Sequence, residues 1–195
     1  YVYIGGDSLA QNTSVTSSFR RFNEPYSFRN EDFKADASYR LFGNTDISLG
    51  LQWSKIDRTY TEREEADEDS YHLGINTAIS DRINSHIRYT HTKRDGSTYV
   101  GNEPFLSGYD PGYTSTTPGW ENHPNLRRYH LANRDRDQLA LNVEFTASEA
   151  LTLGAGIDYT DDDYNESAVG LVDARSESVT LDAVYAPSQL WSLHG

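Results

Sequence analysis

The fold is decided by residues 139–159, Leu139-Ala140-Leu141-Asn142-Val143-Glu144-Phe145-Thr146-Ala147-Ser148-Glu149-Ala150-Leu151-Thr152-Leu153-Gly154-Ala155-Gly156-Ile157-Asp158-Tyr159. Leu139, Leu141, Val143 and Phe145 fall on one face, with Ala140, Asn142 and Glu144 on the other. After Thr146-Ala147-Ser148-Glu149 the pattern resumes, Leu151, Leu153, Ala155, Ile157 and Tyr159 opposing Thr152, Gly154, Gly156 and Asp158. Successive side chains of a strand point to opposite faces, so a period of two predicts two strands joined by a tight hairpin, each apolar on one side. Working outward, Phe33 to Leu41, Ile47 to Trp53, Tyr71 to Ile79, Ile83 to Tyr89 and Val179 to Tyr185 alternate in the same way. No segment carries a helical stripe.

The connections alternate too. Phe42 to Asp46, Ser80-Asp81-Arg82, Thr146 to Glu149 and Ala186 to Gln189 hold the Gly, Asn, Asp, Pro and Ser of tight turns. Between them lie long polar stretches, about 20–32, 57–70, 92–138 and 160–177. Short turns on one side and long loops on the other are the pattern of an up-and-down sheet in a bacterial outer membrane, with the turns periplasmic and the loops extracellular. Tracing each strand on that assumption puts Phe19, Phe33, Trp53, Tyr71, Tyr89 and Tyr159 near the outer rim of the apolar face. Tyr39, Phe145 and Tyr185 fall near the inner rim. Two aromatic girdles around an aliphatic band suit the two headgroup interfaces, whereas a soluble sandwich alternates but predicts neither girdles nor loop asymmetry. Leu153 is expected near the middle of the band.

The predicted fold class is therefore all-β, an antiparallel up-and-down transmembrane β-barrel in the bacterial outer membrane, in contact with its lipid. Residues 1–195 are expected to form one barrel segment of roughly ten strands, with its longest loop at about 92–138. The end strands, Tyr1 to Ile4 and Leu190 onward, are shorter than the roughly 9–11 residues of a span, so the chain is expected to be a stretch of a larger barrel. The polar face would line the lumen with Lys34, Asp36, Arg40, Gln52, His72, Asn76, Asn84, His86, Arg88, Asn142, Glu144, Asp158 and Asp182. Both a sheath around another protein and a water-filled porin fit such a face.

Composition narrows the function. With 17 Lys+Arg against 30 Asp+Glu the net charge is −13, which would repel nucleic acid. No Cys is present, which excludes disulfides, thiolate nucleophiles, iron–sulfur clusters and c-type haem attachment to this chain. No apolar run approaches the roughly 18 residues of a spanning helix.

The run Arg134-Asp135-Arg136-Asp137-Gln138-Leu139-Ala140-Leu141-Asn142-Val143, then Ser148-Glu149-Ala150-Leu151-Thr152-Leu153-Gly154, Asp161-Asp162-Asp163-Tyr164, Ala174-Arg175-Ser176 and Tyr185-Ala186-Pro187-Ser188, resembles the MtrB/PioB family. These are outer-membrane barrels of porin–cytochrome conduits, and the resemblance is clearest over about 129–190. It implies a barrel larger than this chain builds, sheathing a periplasmic multihaem cytochrome and meeting an extracellular one. Haem would be carried by the partner, with no cofactor in this chain. The cysteine pair near the start of some members is absent.

Three other patterns invite chemistry. Gly6-Asp7-Ser8-Leu9 with Asp69-Ser70-Tyr71-His72 resembles the Ser and Asp-x-x-His blocks of GDSL-type hydrolases, but a mid-chain His on an alternating strand, without any βαβ pattern, does not suit that scaffold. Asp161, Asp163 and Asn165 have the spacing of the first calcium-loop ligands, yet Glu166 replaces the required Gly and Val172 the bidentate Glu. His72, His86, His91, His123, His130 and His194 include no i, i+2 or i, i+4 pair. The chain is expected to have no catalytic residue, no metal site and no enzymatic activity.

Overall fold

A computed structural model of the chain describes residues 26–59, 61–100, 125–188 and 191–195. They form β1 (Phe28–Phe42), β2 (Thr45–Arg58), β3 (Glu65–Ser80), β4 (Ile83–Gly96), β5 (Leu126–Arg127), β6 (Arg134–Ser148), β7 (Leu151–Asp163), β8 (Val169–Gly170), β9 (Asp173–Ser188) and β10 (Trp191–His194). Eight of these make one antiparallel up-and-down sheet in the order β1-β2-β3-β4-β6-β7-β9-β10. β5 and β8 pair separately, in parallel. The all-β, up-and-down reading therefore holds, and β1 and β10 remain unpaired with each other.

Each short turn does what its residues allow. Gly43 has φ +53°, a conformation that costs a residue with a Cβ, and it turns β1 into β2. Register shifts lie beside the turns, between Arg40 and Phe42, Ala78 and Ser80, and Thr146 and Ser148. One extra residue on one strand bends the sheet there and raises its twist.

The strands run farther into the polar stretches than alternation implies. β2 continues to Arg58, β3 begins at Glu65, β4 continues to Gly96 and β6 begins at Arg134, so pairings such as Glu68↔Arg94 and Arg94↔Arg134 extend the ladder. Above the apolar band both faces are polar, so the period disappears although the hydrogen-bond ladder does not.

The odd-numbered face of β6 and β7 continues across the sheet. One cross-strand row reads Tyr39, Ile47, Ile75, Ile87, Leu141, Ile157 and Val179. Its neighbours Leu49, Leu51, Leu73 and Leu181 lie open, Leu181 at 75% exposure. A continuous apolar face of this extent is suited to hydrocarbon rather than water. The longest apolar runs, Phe33 to Leu41, Tyr71 to Ile79 and Leu151 to Tyr159, each cover nine residues, about 21 Å of height for a strand tilted by about 35°.

Packing is concentrated elsewhere. Among the described residues the buried ones, including Glu62, Arg63, Ala66, Thr92, Leu131, Ala132, Asp162, Tyr164 and Ser167, lie at the long-connection end, apart from Gly50, Gly74 and Gly156 within the sheet. There the connections fold against one another and onto one face of the sheet as a cap.

Candidate functional site

The pairing register brings all thirteen residues expected to line the lumen onto one face. Lys34 faces Gln52, Asp36 and His72 flank Gly50, and Arg40 faces Asp46, which faces Asn76. Asn76 faces His86, which faces Asn142; Asn84 faces Glu144; Arg88 faces Gly74. Asp158 shares its row with Ala140, and Asp182 with Gly154 and Glu144. Alternation within single strands thus becomes one polar surface across seven of them.

Glycines set the relief of this surface. A Cβ at Gly50 would collide with the His72 imidazole and the Asp36 carboxylate. Without it, Asp36 on β1 and His72 on β3 reach across β2, their Oδ1 and Nε2 atoms 3.4 Å apart. Asp182 likewise lies over Gly154, and Asn142 over Gly156. Side chains lying along the wall, rather than projecting from it, leave a groove of about 810 Å³ lined by Asp46, Asn76, His86, Asn142, Glu144 and Asp182 among others. The carboxylates that line the groove are Asp46, Glu144 and Asp182, and cations meet carboxylates beside it, Arg40–Asp46 at 3.2 Å and Lys34–Asp36 at 3.5 Å. The sequence marks Asp46 only as a turn residue, although its parity matches Ser48 and Gly50.

The aromatic residues fall on the opposite face and drift with the register. Phe33 pairs with Trp53, Tyr71 faces Leu51, and Tyr89 and Tyr159 both face Leu139. Phe145 faces Leu153, and Tyr185 faces Leu151. Measured from the row of Tyr39, Phe145 and Tyr185 step toward the short turns by about one residue per strand, and the outer set steps the same way. At ~3.3 Å per residue and ~4.8 Å between strands, a level ring drifting so implies a tilt of about 35°, the tilt of membrane barrel strands. Leu153 therefore stands beside the inner aromatic row rather than in mid-band. Phe19 lies outside the described residues.

The cap closes over the polar face at its long-connection end. Arg94 donates from Nε to the carbonyl of Ala132 at 3.0 Å and from Nη2 to that of Tyr129 at 2.6 Å. Arg134 pairs with Glu68 at 3.1 Å, and Arg136 grips Asp162 through two bonds of 2.5 and 2.7 Å. That bidentate bond holds the Asp162 carboxyl below the usual carboxylate range. Arg128 meets Glu62 at 2.8 Å, Arg63 donates to Asn133 and lies 3.9 Å from Glu166, and the β5–β8 ladder ties two connections together. Burial raises the Tyr99 phenol and lowers the Arg63 guanidinium where they stack. None of this was visible as a site in the sequence. Continuing the parity of Asn142 past Gln138 would have placed Arg136 and Arg134 on the polar face.

The other patterns separate. Asp69 and His72 lie on opposite faces of β3, since three residues reverse the side-chain direction. The segment Gly6 to Leu9, like Tyr1 to Ile4, lies outside the described residues. Asp161 accepts from Tyr159 and Arg175, Asp162 from Arg136, and Asn165 donates to Asp135, so the acidic run is divided among different partners. Among the described residues no group of three His, Asp or Glu could hold a metal ion. His86 meets Asn76, and His91 lies 2.9 Å from Asp137 on the apolar side's upper margin. His130 stacks edge-on to Tyr129, His194 is exposed, and His123 lies outside the described residues.

A single antiparallel layer with an apolar band and aromatic rows on one face and a polar surface of mixed charge on the other is the wall of an outer-membrane β-barrel. Comparison with known proteins agrees in detail: the family described as outer membrane beta-barrel porin, MtrB/PioB, matches residues 3–195. The chain belongs to the MtrB/PioB family. It is similar to Outer membrane protein MtrB of Shewanella baltica (strain OS185), with 29% identity over 164 residues. That match covers 84% of this chain and 22% of the relative, so the chain spans less than a quarter of the relative's length.

Proposed function

We propose that this chain forms part of the wall of a barrel that sheathes a multihaem cytochrome, so that electrons cross the outer membrane through haems held by the partner. The observation that supports it is the polar face, where Asp36, His72, Asn76, His86, Asn142 and Asp182 share a continuous surface free of large hydrophobic side chains. A bilayer holds a polar protein surface and charged haem carboxylates only at high cost, whereas such a wall offers them water and hydrogen-bonding groups. The wall's part is to insulate and position; no catalytic step is assigned to it, and no cofactor. Residues 1–195 act as one barrel segment, with the short turns periplasmic and the cap extracellular, where periplasmic and extracellular cytochromes would each meet the barrel.

The competing reading is a porin whose open groove passes solutes. Purification of the full-length protein in mild detergent discriminates. A haem absorption band co-eluting with the barrel in fixed stoichiometry is expected. A haem-free barrel, isolated from cells that express their outer-membrane cytochromes, would favour the porin.

A further inference from the structure

At the long-connection end of the polar face lies a cavity of about 240 Å³. Its walls come from the same parity of four adjacent strands: Phe28 and Asn30 on β1, Ser54, Ile56 and Arg58 on β2, Ala66 and Glu68 on β3, and Arg94 on β4. The cationic groups there are unequally matched. Glu68 is committed to Arg134 at 3.1 Å, and Arg94 is spent on the carbonyls of Ala132 and Tyr129. Among the described residues Arg58 has no carboxylate within ion-pair distance, and its Nη1 is buried without a hydrogen-bond partner. A buried guanidinium nitrogen that lacks a protein acceptor is costly, and the cost is removed when an anion arrives. Phe28, Ile56 and Ala66 supply an apolar side to the same cavity.

We infer that this cavity is an anion site, taking a small carboxylate or phosphate monoester carried on an apolar body, with Arg58 as its charge partner. The planar fork of a guanidinium matches both head groups. A volume below the roughly 300–1,000 Å³ of drug-sized sites restricts the occupant to a single-ring molecule. Asn30 and Ser54 provide further polar groups beside the head, and Phe28 and Ile56 face the body. The site is built by the strands themselves and does not depend on the cargo of the lumen, so it stands whether the barrel encloses a cytochrome or passes solutes.

The test uses the purified full-length barrel in detergent and benzoate as the probe, followed by saturation-transfer NMR. Saturable binding of benzoate is expected, with benzyl alcohol binding far more weakly. Arg58→Gln should weaken benzoate by about tenfold or more, the loss of one charge-assisted contact. Ile56→Trp should abolish binding by filling the cavity while leaving both arginines in place, and it decides the matter should Arg58→Gln fail to fold. Arg29→Gln, on the opposite face, should change nothing. Absence of saturable benzoate binding by the unaltered protein, equal binding of benzyl alcohol, or wild-type affinity in Ile56→Trp would overturn the assignment.

Discussion

Leu141→Arg is the substitution that asks most of the facing assignment. Leu141 stands on β6 between Ile87 of β4 and Ile157 of β7, in the row that runs from Tyr39 to Val179. The outer aromatic row crosses β6 at Leu139, which faces Tyr89 and Tyr159, and the inner row crosses it at Phe145. Leu141 thus lies well inside the band, with aliphatic neighbours on both sides and no polar group toward which a guanidinium can turn. An arginine on the lipid face near the midplane costs about 2–4 kcal/mol, falling to about 0–1 near the interfaces. Asn142→Arg, one residue along, points instead into the groove beside Glu144 and His86, where a charge remains hydrated and should cost no more than about 0.5 kcal/mol. Leu153→Arg supplies a gradient, because Leu153 faces Phe145 in the inner aromatic row and should cost only about 0–1 kcal/mol. The assay is equilibrium folding of the full-length barrel into liposomes across a guanidinium series, followed by tryptophan fluorescence. The expected order of cost is Leu141→Arg, then Leu153→Arg, then Asn142→Arg. Equal penalties at 141 and 142 would refute the facing of the sheet, and a penalty at 153 matching that at 141 would refute the tilt.

Asp162→Asn leaves Arg136 without its charge partner, since the amide keeps one acceptor oxygen but not the bidentate pair with a carboxylate 8% exposed, and should loosen the cap by about 3–5 kcal/mol. Hydrogen exchange should accelerate at Leu131, Ala132 and Tyr164 while Leu139 to Phe145 stay protected; uniform exchange rates with the unaltered protein would count against the cap. The same pair predicts a pH effect: Asp162 titrates lower folded than unfolded, so its contribution is present above its ordinary value of 3.8 and is lost as the pH falls below it. Protease resistance of the connections should decline in that acid range, and resistance unchanged down to full protonation would contradict the role of the pair. Gly50→Val should displace the His72 ring and cost about 1–3 kcal/mol. In a His72→Ala background the cost should shrink, and strict additivity would show that the collision is not its source.

How much of this was legible in the sequence depends on whether a residue lies inside the apolar band. Within it, Leu139, Leu141, Val143 and Phe145 define a parity, and the parity of Asn142 and Glu144 follows without further information. That is why thirteen scattered polar residues could be placed on one face from local pattern alone. Above the band the same strands carry Asp, Arg, Lys and Ser on both sides. With no period to read, Glu65 to Ser70 and Lys93 to Gly96 look like loop in the sequence although they are paired. The cap was invisible for a different reason. Glu62 with Arg128, and Leu126 with Val169, are joined across long stretches of chain, and nothing in either segment announces its partner. The depth of Leu153 needed the register between strands, which a single strand's alternation does not contain.

The central claim, that the polar face sheathes an electron-carrying partner, is tested most directly by reconstituting the full-length barrel in liposomes that enclose an electron acceptor. Reductant is then added outside, with and without a multihaem cytochrome purified from the outer membrane of the same cells. The account predicts reduction of the enclosed acceptor only when barrel and cytochrome are both present, with little ion conductance through the assembled complex. Steady ion conduction through the barrel alone, and no reduction of the acceptor when the cytochrome is supplied, would contradict it and establish the porin.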